Sequence, residues 1–335
     1  MVSTKLSVPG TVPWIMRTRL LAAALAALLL LASCGRDRVV ITTTSDWSPA
    51  PAAPDPPATR SAGPAAPPAG LMAADSAPPA CPDGWDCAQQ ARFDATAAYA
   101  AKRRGRMGLV MRDRETGAIW RTGATAEPMW TGSTIKVAIA TTLLERHRAG
   151  DIHLTETDRQ VMSDMLRMSS NDATDALWDR YDGPQLLDGF RTRYGMGSLS
   201  VVDGRETYWR NLRCTAEDLE HLMTYILSDR LYAADRAYLV DTLRGVADNQ
   251  HWGVWAAGPQ LRPGNKDGWA VKPDPGGEHW VTHTAGFAGP RERYVVVVMY
   301  SLPPGGTLDE GVHAVSDAVA TLFGARTPAK VSLPT

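Results

Sequence analysis

The order of hydrophobic periods along this chain constrains its fold more than any single motif does. Asp86 to Lys102 carries an Ala-rich helical pattern. Met107 to Arg112 then alternates apolar and polar residues and turns through Arg114-Glu115-Thr116-Gly117 into Ala118 to Arg121, the signature of a β-hairpin. From Ser133 to about Leu243 the pattern is mostly helical. Strands return only at Gln260 to Lys266, His279 to Thr284 and the β-branched run Arg293 to Tyr300, before a last amphipathic helix from about Leu308 to Phe323. An early hairpin and three late strands share one sheet only if the helical middle is inserted between them. The expected fold is therefore α+β: an antiparallel five-stranded sheet flanked by terminal helices, built from about 86–125 and 245–325. An all-α part, about 126–244, is inserted into it. No internal repeat is visible.

The first quarter of the 335 residues does not join that core. Arg17 and Arg19 precede an apolar run from Leu20 to Ala32, too short for a comfortable transmembrane helix and laid out as an export signal. The run ends in Leu31-Ala32-Ser33-Cys34, which resembles the bacterial lipobox. That resemblance implies a signal peptide over 1–33 and a lipid anchor on Cys34 at the outer face of the cytoplasmic membrane; the alternative is an uncleaved signal anchor. Residues 34–80 are dominated by Pro, Ala, Ser and Thr, with almost no large apolar side chains after Trp47. Such a segment cannot bury enough surface to order itself and acts as an extended tether. The folded domain is then 81–335.

Export favours disulfides, yet Cys81, Cys87 and Cys214 leave one thiol over, and either Cys81 or Cys87 could pair with Cys214 instead of with each other. The formal net charge of -1 gives no electrostatic reason to expect nucleic acid as a partner. The one dense basic run, Lys102-Arg103-Arg104 with Arg106, follows the first helical pattern and reads as cations at a helix C-terminus.

Three short patterns carry chemistry. Ser133-Thr134-Ile135-Lys136 follows a glycine and opens the apolar helical stretch Val137 to Leu144. One helical turn separates the serine from the lysine, so the amine can reach the hydroxyl. A serine hydroxyl is a poor nucleophile until such a base takes its proton. In Ser169-Ser170-Asn171, at the start of a further helix, the Ser169 hydroxyl can pass a proton to a leaving group and the Asn171 amide can hold Lys136 or a substrate amide. In Lys266-Asp267-Gly268, read as a strand end, Lys266 adds positive potential and Gly268 lets backbone approach a ligand closely.

These patterns, in this order and with this secondary structure, resemble the three motifs of the penicillin-recognising serine hydrolases, the class A β-lactamases and related D,D-peptidases. The likeness covers roughly residues 88 to 325. It implies a β-lactamase/transpeptidase-like fold and an acyl-enzyme mechanism on β-lactams or cell-wall D-Ala peptides, with no cofactor. Ser133 would be the nucleophile, Lys136 its base and Ser169 the proton donor, with Asn171 and Lys266 supporting them. The oxyanion would be held by the backbone N–H groups of Ser133 and Trp269. Trp130 and Trp269, flanking two motifs, are expected near the pocket, and His283 is a candidate to line the cleft beside Lys266.

The departures from the family pattern bear on turnover. The stretch between Ser133 and Ser169 is short, so one wall of the cleft is expected to be missing. Asp267 stands where the family has a hydroxyl residue that binds a substrate carboxylate; ionised, it would repel that group unless it paired with Lys266. The loop from Val202 to Thr215 offers only Glu206 as a deacylating base. These differences favour a peptidase-like or penicillin-binding activity over efficient antibiotic hydrolysis, and leave open a binding or scaffold lipoprotein that has lost turnover, or a serine-lysine esterase. Glu278, His279 and His283 suggest no metal site, because i and i+4 lie too far apart on a strand to share one ion.

Overall fold

A computed structural model describes residues 84–274 and 276–334. The export signal, Cys34, the tether and Cys81 lie outside the described residues. Among the described residues no helix is long and apolar enough to cross a membrane.

Helix α1 (Cys87–Ala101) starts at Asp86, whose carboxylate accepts from the Gln89 N–H, and stops just before the basic run. Strands β1 (Arg106–Asp113) and β2 (Ile119–Gly123) form the expected hairpin. The inserted part follows: β3 (Met129–Trp130), α2 (Lys136–Ala149), α3 (Glu156–Arg167), α4 (Asn171–Arg180), α5 (Leu186–Thr192), β4 (Ser200–Val201), β5 (Leu212–Cys214), α6 (Ala216–Ile226) and α7 (Ala233–Arg244). The chain returns to the sheet as β6 (Gly264–Asp274), β7 (Gly277–Ala288) and β8 (Tyr294–Ser301), and closes with α8 (Leu308–Phe323). The five-stranded antiparallel sheet runs β2-β1-β8-β7-β6, so the two halves of the chain meet where β1 pairs with β8 and β6 is left as an edge.

The inserted part is not wholly α, because β3, β5 and β4 form a small second sheet. Two- and three-residue strands leave no periodic trace in sequence. Strand β6 starts later and runs further than Gln260 to Lys266. Pro259–Leu261 forms a 3-10 turn and Arg262 takes a left-handed φ of 46°, which delays the strand. It then passes through Pro273, tolerated because an edge strand has one side free of ladder partners. Lys266 therefore sits inside the strand rather than at its end.

Two apolar clusters hold the layers together. One face of the sheet packs against α1 and α8 through Phe93, Leu109, Trp252, Val296, Val298, Val315 and Val319. The other face meets the helical part around α2, where every residue from Lys136 to Leu144 is buried. A helical stretch buried on every side, as this one is, lies in the middle of a core. That placement explains how the N-terminus of α2, and Ser133 just before it, is held rigidly between the two halves. Cys214 is buried and free while Cys87 is disulfide-bonded, which removes Cys214 from the pairing alternatives.

Candidate active site

Ser133 lies in a 3-10 turn, Gly132–Ile135, that leads into α2. This turn is pressed against the edge strand. Gly132 has a left-handed φ of 55°, and a Cβ there would stand 3.3 Å from Gly268 Cα and 3.5 Å from the Trp269 nitrogen. From the other side, a Cβ on Gly268 would come 2.8 Å from the Ser133 nitrogen. Only two glycines permit this approach, which sets the Ser133 and Trp269 amides on facing chains.

Lys136, fully buried at the head of α2, turns its Nζ to the segment between α3 and α4. It donates to the Ser169 carbonyl at 2.7 Å, the Asn171 Oδ1 at 3.0 Å and the Ser170 carbonyl at 3.2 Å, with Ser169 Oγ at 3.5 Å. The local sequence explains why those oxygens converge. The Ser170 hydroxyl caps α4 by accepting from the Ala173 N–H at 3.1 Å, which aims Asn171 inward from the first turn. Ser169 takes a left-handed φ of 57°, a conformation that costs a non-glycine residue on the order of 1 kcal/mol or more and persists where its surroundings hold it. Lys266 Nζ donates to Ser169 Oγ at 2.9 Å and to the Asp267 carbonyl at 3.0 Å, and is also bonded to Gln250 Oε1. The Ser169 hydroxyl thus stands between two buried lysines. The Ser133 hydroxyl makes no hydrogen bond among the described residues and is the free member of the group.

The electrostatics follow from burial. Removal from water, then the charge of Lys266 and that of Arg210, bring Lys136 down to about 6, against a weaker pull from Asp175. Burial brings Lys266 to about 7. Burial and the neighbouring cations thus favour a neutral Lys136, while the three oxygens around its Nζ favour the ammonium, so its lone pair is free for a serine proton once one of those contacts is released; Lys266 is close to its midpoint at neutral pH.

Four expectations from sequence need correction. Asp267 does not face the cleft: neighbours on a strand point to opposite faces, and Asp267, paired in register with Thr284, is sealed between the sheet and its covering layer. Burial pushes its carboxyl well above the usual range, so the neutral acid is favoured and no negative charge opposes a substrate carboxylate. His283 is fully buried and does not line the cleft. Its Nδ1 accepts from the Tyr300 N–H at 3.0 Å, which leaves the proton on Nε2 to be donated to the Trp130 carbonyl at 2.8 Å; burial holds the ring at about 4. Trp130 is also enclosed, its Nε1 donating to Asp274 at 3.1 Å and its ring flanked by Lys272 and Arg213. Both residues brace the chain leading into Ser133. Trp269 contributes its backbone, since its half-buried ring packs edge-on against Trp252.

The fourth correction concerns the loop after β4. Glu206 is exposed and lines a surface groove with Trp178 and Asp182. The residue of that loop that reaches Lys136 is Trp209, whose ring lies 4.8 Å from Nζ. The nearby carboxylate is Asp175 on α4, one turn beyond Asn171, which no motif singles out. It accepts from the Tyr208 hydroxyl, from Trp209 Nε1 at 2.7 Å and from Arg210 at 2.9 Å. Burial raises it, but these donors outweigh burial and hold it below the ordinary carboxylate range, so it is a weak base. On the open side, α2 and α3 are joined by the short link 150–155, and Met168 stands 54% exposed beside Ser169.

A model of the "Beta-lactamase enzyme family" matches residues 91–158, which include Ser133 and Lys136. "Putative lipoprotein LppW" of Mycobacterium tuberculosis is 28% identical over 228 residues, 65% of this chain and 69% of its own length. Among solved structures, a class A β-lactamase from Mycobacterium abscessus superposes with a TM-score of 0.57 at 20% identity, covering 70% of this chain and 100% of its own. A β-lactamase from Chitinophaga pinensis gives 0.59 at 15% identity, covering 70% and 98%. At these identities the structures establish the fold.

Proposed function

Since the chain is β-lactamase-like in sequence and fold, we propose that it is an exported, lipid-anchored serine hydrolase that forms an acyl-enzyme with β-lactams or cell-wall D-Ala peptides and releases it slowly. The observation that supports this reading is the unbonded Ser133 hydroxyl one helical turn before a buried lysine brought to about 6, whose Nζ lies on the 169–171 segment, with Ser169 bridged to a second buried lysine. Lys136 takes the Ser133 proton as Oγ bonds to the carbonyl carbon, and the oxygen that gains charge faces the Ser133 and Trp269 amides. As the C–N bond breaks, Ser169 gives its proton to the departing nitrogen and regains one from the protonated lysines. Water must then attack the ester. The loop that would supply a base for that step presents Trp209 to Lys136, and Asp175 is occupied by three donors.

Intact-mass measurement after incubation with a fluorescent penicillin tests the reading. A persistent penicilloyl adduct, absent in Ser133→Ala, is expected. No adduct and no turnover with any β-lactam or D-Ala-D-Ala peptide would overturn it. A second reading, a binding lipoprotein without turnover, draws on the three oxygens that already engage Lys136. Ligand binding without covalent attachment, unchanged in Ser133→Ala, would select that reading instead.

A further inference from the structure

Gln250 sits in a short 3-10 turn, Asp248–Gln250, well before β6 in sequence, and its side chain is fully buried. Its amide touches both sides of the site. Nε2 donates to the Arg167 carbonyl at 2.7 Å and the Leu166 carbonyl at 3.2 Å, two carbonyls at the C-terminal end of α3 that have no partner within their own helix. Oε1 accepts from Lys266 Nζ and, at 3.4 Å, from the Asp267 N–H. The Gln250 main-chain carbonyl accepts from Asn265 Nδ2 at 3.1 Å. One residue thus ties the helix that leads into Ser169 to the strand that carries Lys266.

The orientation of this amide is forced. Reversed, it would set its NH2 against an amine and an N–H, and its oxygen against two carbonyls, so that all four contacts would become repulsive. With Oε1 facing Lys266, the ammonium has three hydrogens and three acceptors: Gln250 Oε1, the Asp267 carbonyl and Ser169 Oγ. The first two cannot donate in return, so the hydrogen bond to Ser169 runs from the lysine to the serine. The serine's own proton is then left pointing elsewhere, free to be donated.

We propose that Gln250 is a positioning residue that holds Lys266 as an ammonium donor to Ser169 and thereby turns the Ser169 hydroxyl proton outward, toward a departing amine. The catalytic use of that proton rests on the acyl-transfer reading above; the hold on Lys266 does not. An acceptor that bonds only the charged form of a lysine stabilises that form, so removing it lowers the pH at which Lys266 loses its proton.

The test is the Nζ titration of Lys266 by 15N NMR in the full folded domain, with no substrate, together with the pH profile of acylation by fluorescent penicillin. In Gln250→Met, which keeps length and bulk but neither accepts nor donates, the Lys266 midpoint is expected to fall by about one unit. The high-pH limb of acylation moves down with it, and the rate at pH 7 drops by roughly tenfold. Gln250→Glu, with an acceptor of full charge, should move the midpoint up. A midpoint unmoved in whichever of these variants folds would overturn the proposal. If the midpoint moves but wild-type protein acylates with nothing, the hold on Lys266 stands and the acyl-transfer reading fails.

Discussion

Lys136 is approached from two directions, and the two neighbours treat it differently. The turn at Ser169, Ser170 and Asn171 surrounds its amine with three oxygens and delivers a serine hydroxyl already joined to a second lysine. The loop before β5 offers the face of Trp209 and the charge of Arg210, while its own acid, Glu206, is turned to solvent. On the acyl-transfer reading, the first side would supply what making an acyl-enzyme needs: a base, a proton donor and a nearby cation. The second lacks an accessible base to activate water. On that reading one half of a two-step reaction would be provided for while the other is not, because the two steps would draw on different segments that meet at the lysine.

The largest effect should come from the complete side. Lys136→Met removes the base and is expected to lower the acylation rate by roughly 10² to 10⁴, read from the rate of penicilloyl-adduct growth. Near-normal acylation in that variant would mean that the turn, rather than the lysine, activates Ser133. Next is an attempt to complete the poor side: Trp209→Glu places a carboxylate where the indole faces Lys136. Loss of the adduct should accelerate by about tenfold or more, and no acceleration would place the obstacle to deacylation outside this loop.

Acidity gives a third handle. Lys136 is a free base only above about 6, and Lys266 is a cation only below about 7. Acylation should therefore rise with pH through the first value and fall through the second, as a narrow bell whose limbs belong to the coupled pair. A flat profile across that window would separate the two lysines from the rate. Ser170→Ala, which removes the cap of α4, should cost about 1 kcal/mol in thermal or denaturant unfolding. Glu206→Gln should change adduct lifetime least, by less than twofold; a tenfold lengthening would make Glu206 the base and abolish the contrast between the two sides.

Much of this was legible in sequence, for physical reasons that also mark where legibility stops. The helix at Leu308–Phe323, the hairpin and the Ser133 turn follow from local periodicity and from glycine placement, and they appear where expected. Asn171 was expected to hold Lys136 or a substrate amide, and it does meet Nζ, whereas the Ser169 and Ser170 carbonyls that join it, in place of the expected Ser133 hydroxyl, are set by the backbone turn before α4. Asp267 escapes a local reading because which face of β6 is sealed depends on what packs over the sheet, α8 some way down the chain included. Gln250 and Trp209 carried no motif, since a buried amide in a short turn and an indole in a loop acquire meaning only from what folds against them. Asp175 lay one turn beyond Asn171, yet nothing local announced that three donors from the loop would converge on it.

The contact between Gly132 and Gly268 has one more consequence. Because neither residue has a side chain, the separation between the nucleophile turn and the edge strand is set by two bare backbones touching. That makes the gap a fixed gauge. Whatever the lysines and loops around it do, the amides of Ser133 and Trp269 keep their spacing, and a single methyl at Gly268 would force the turn and the strand apart. The part of the site least able to vary is therefore one built from missing atoms.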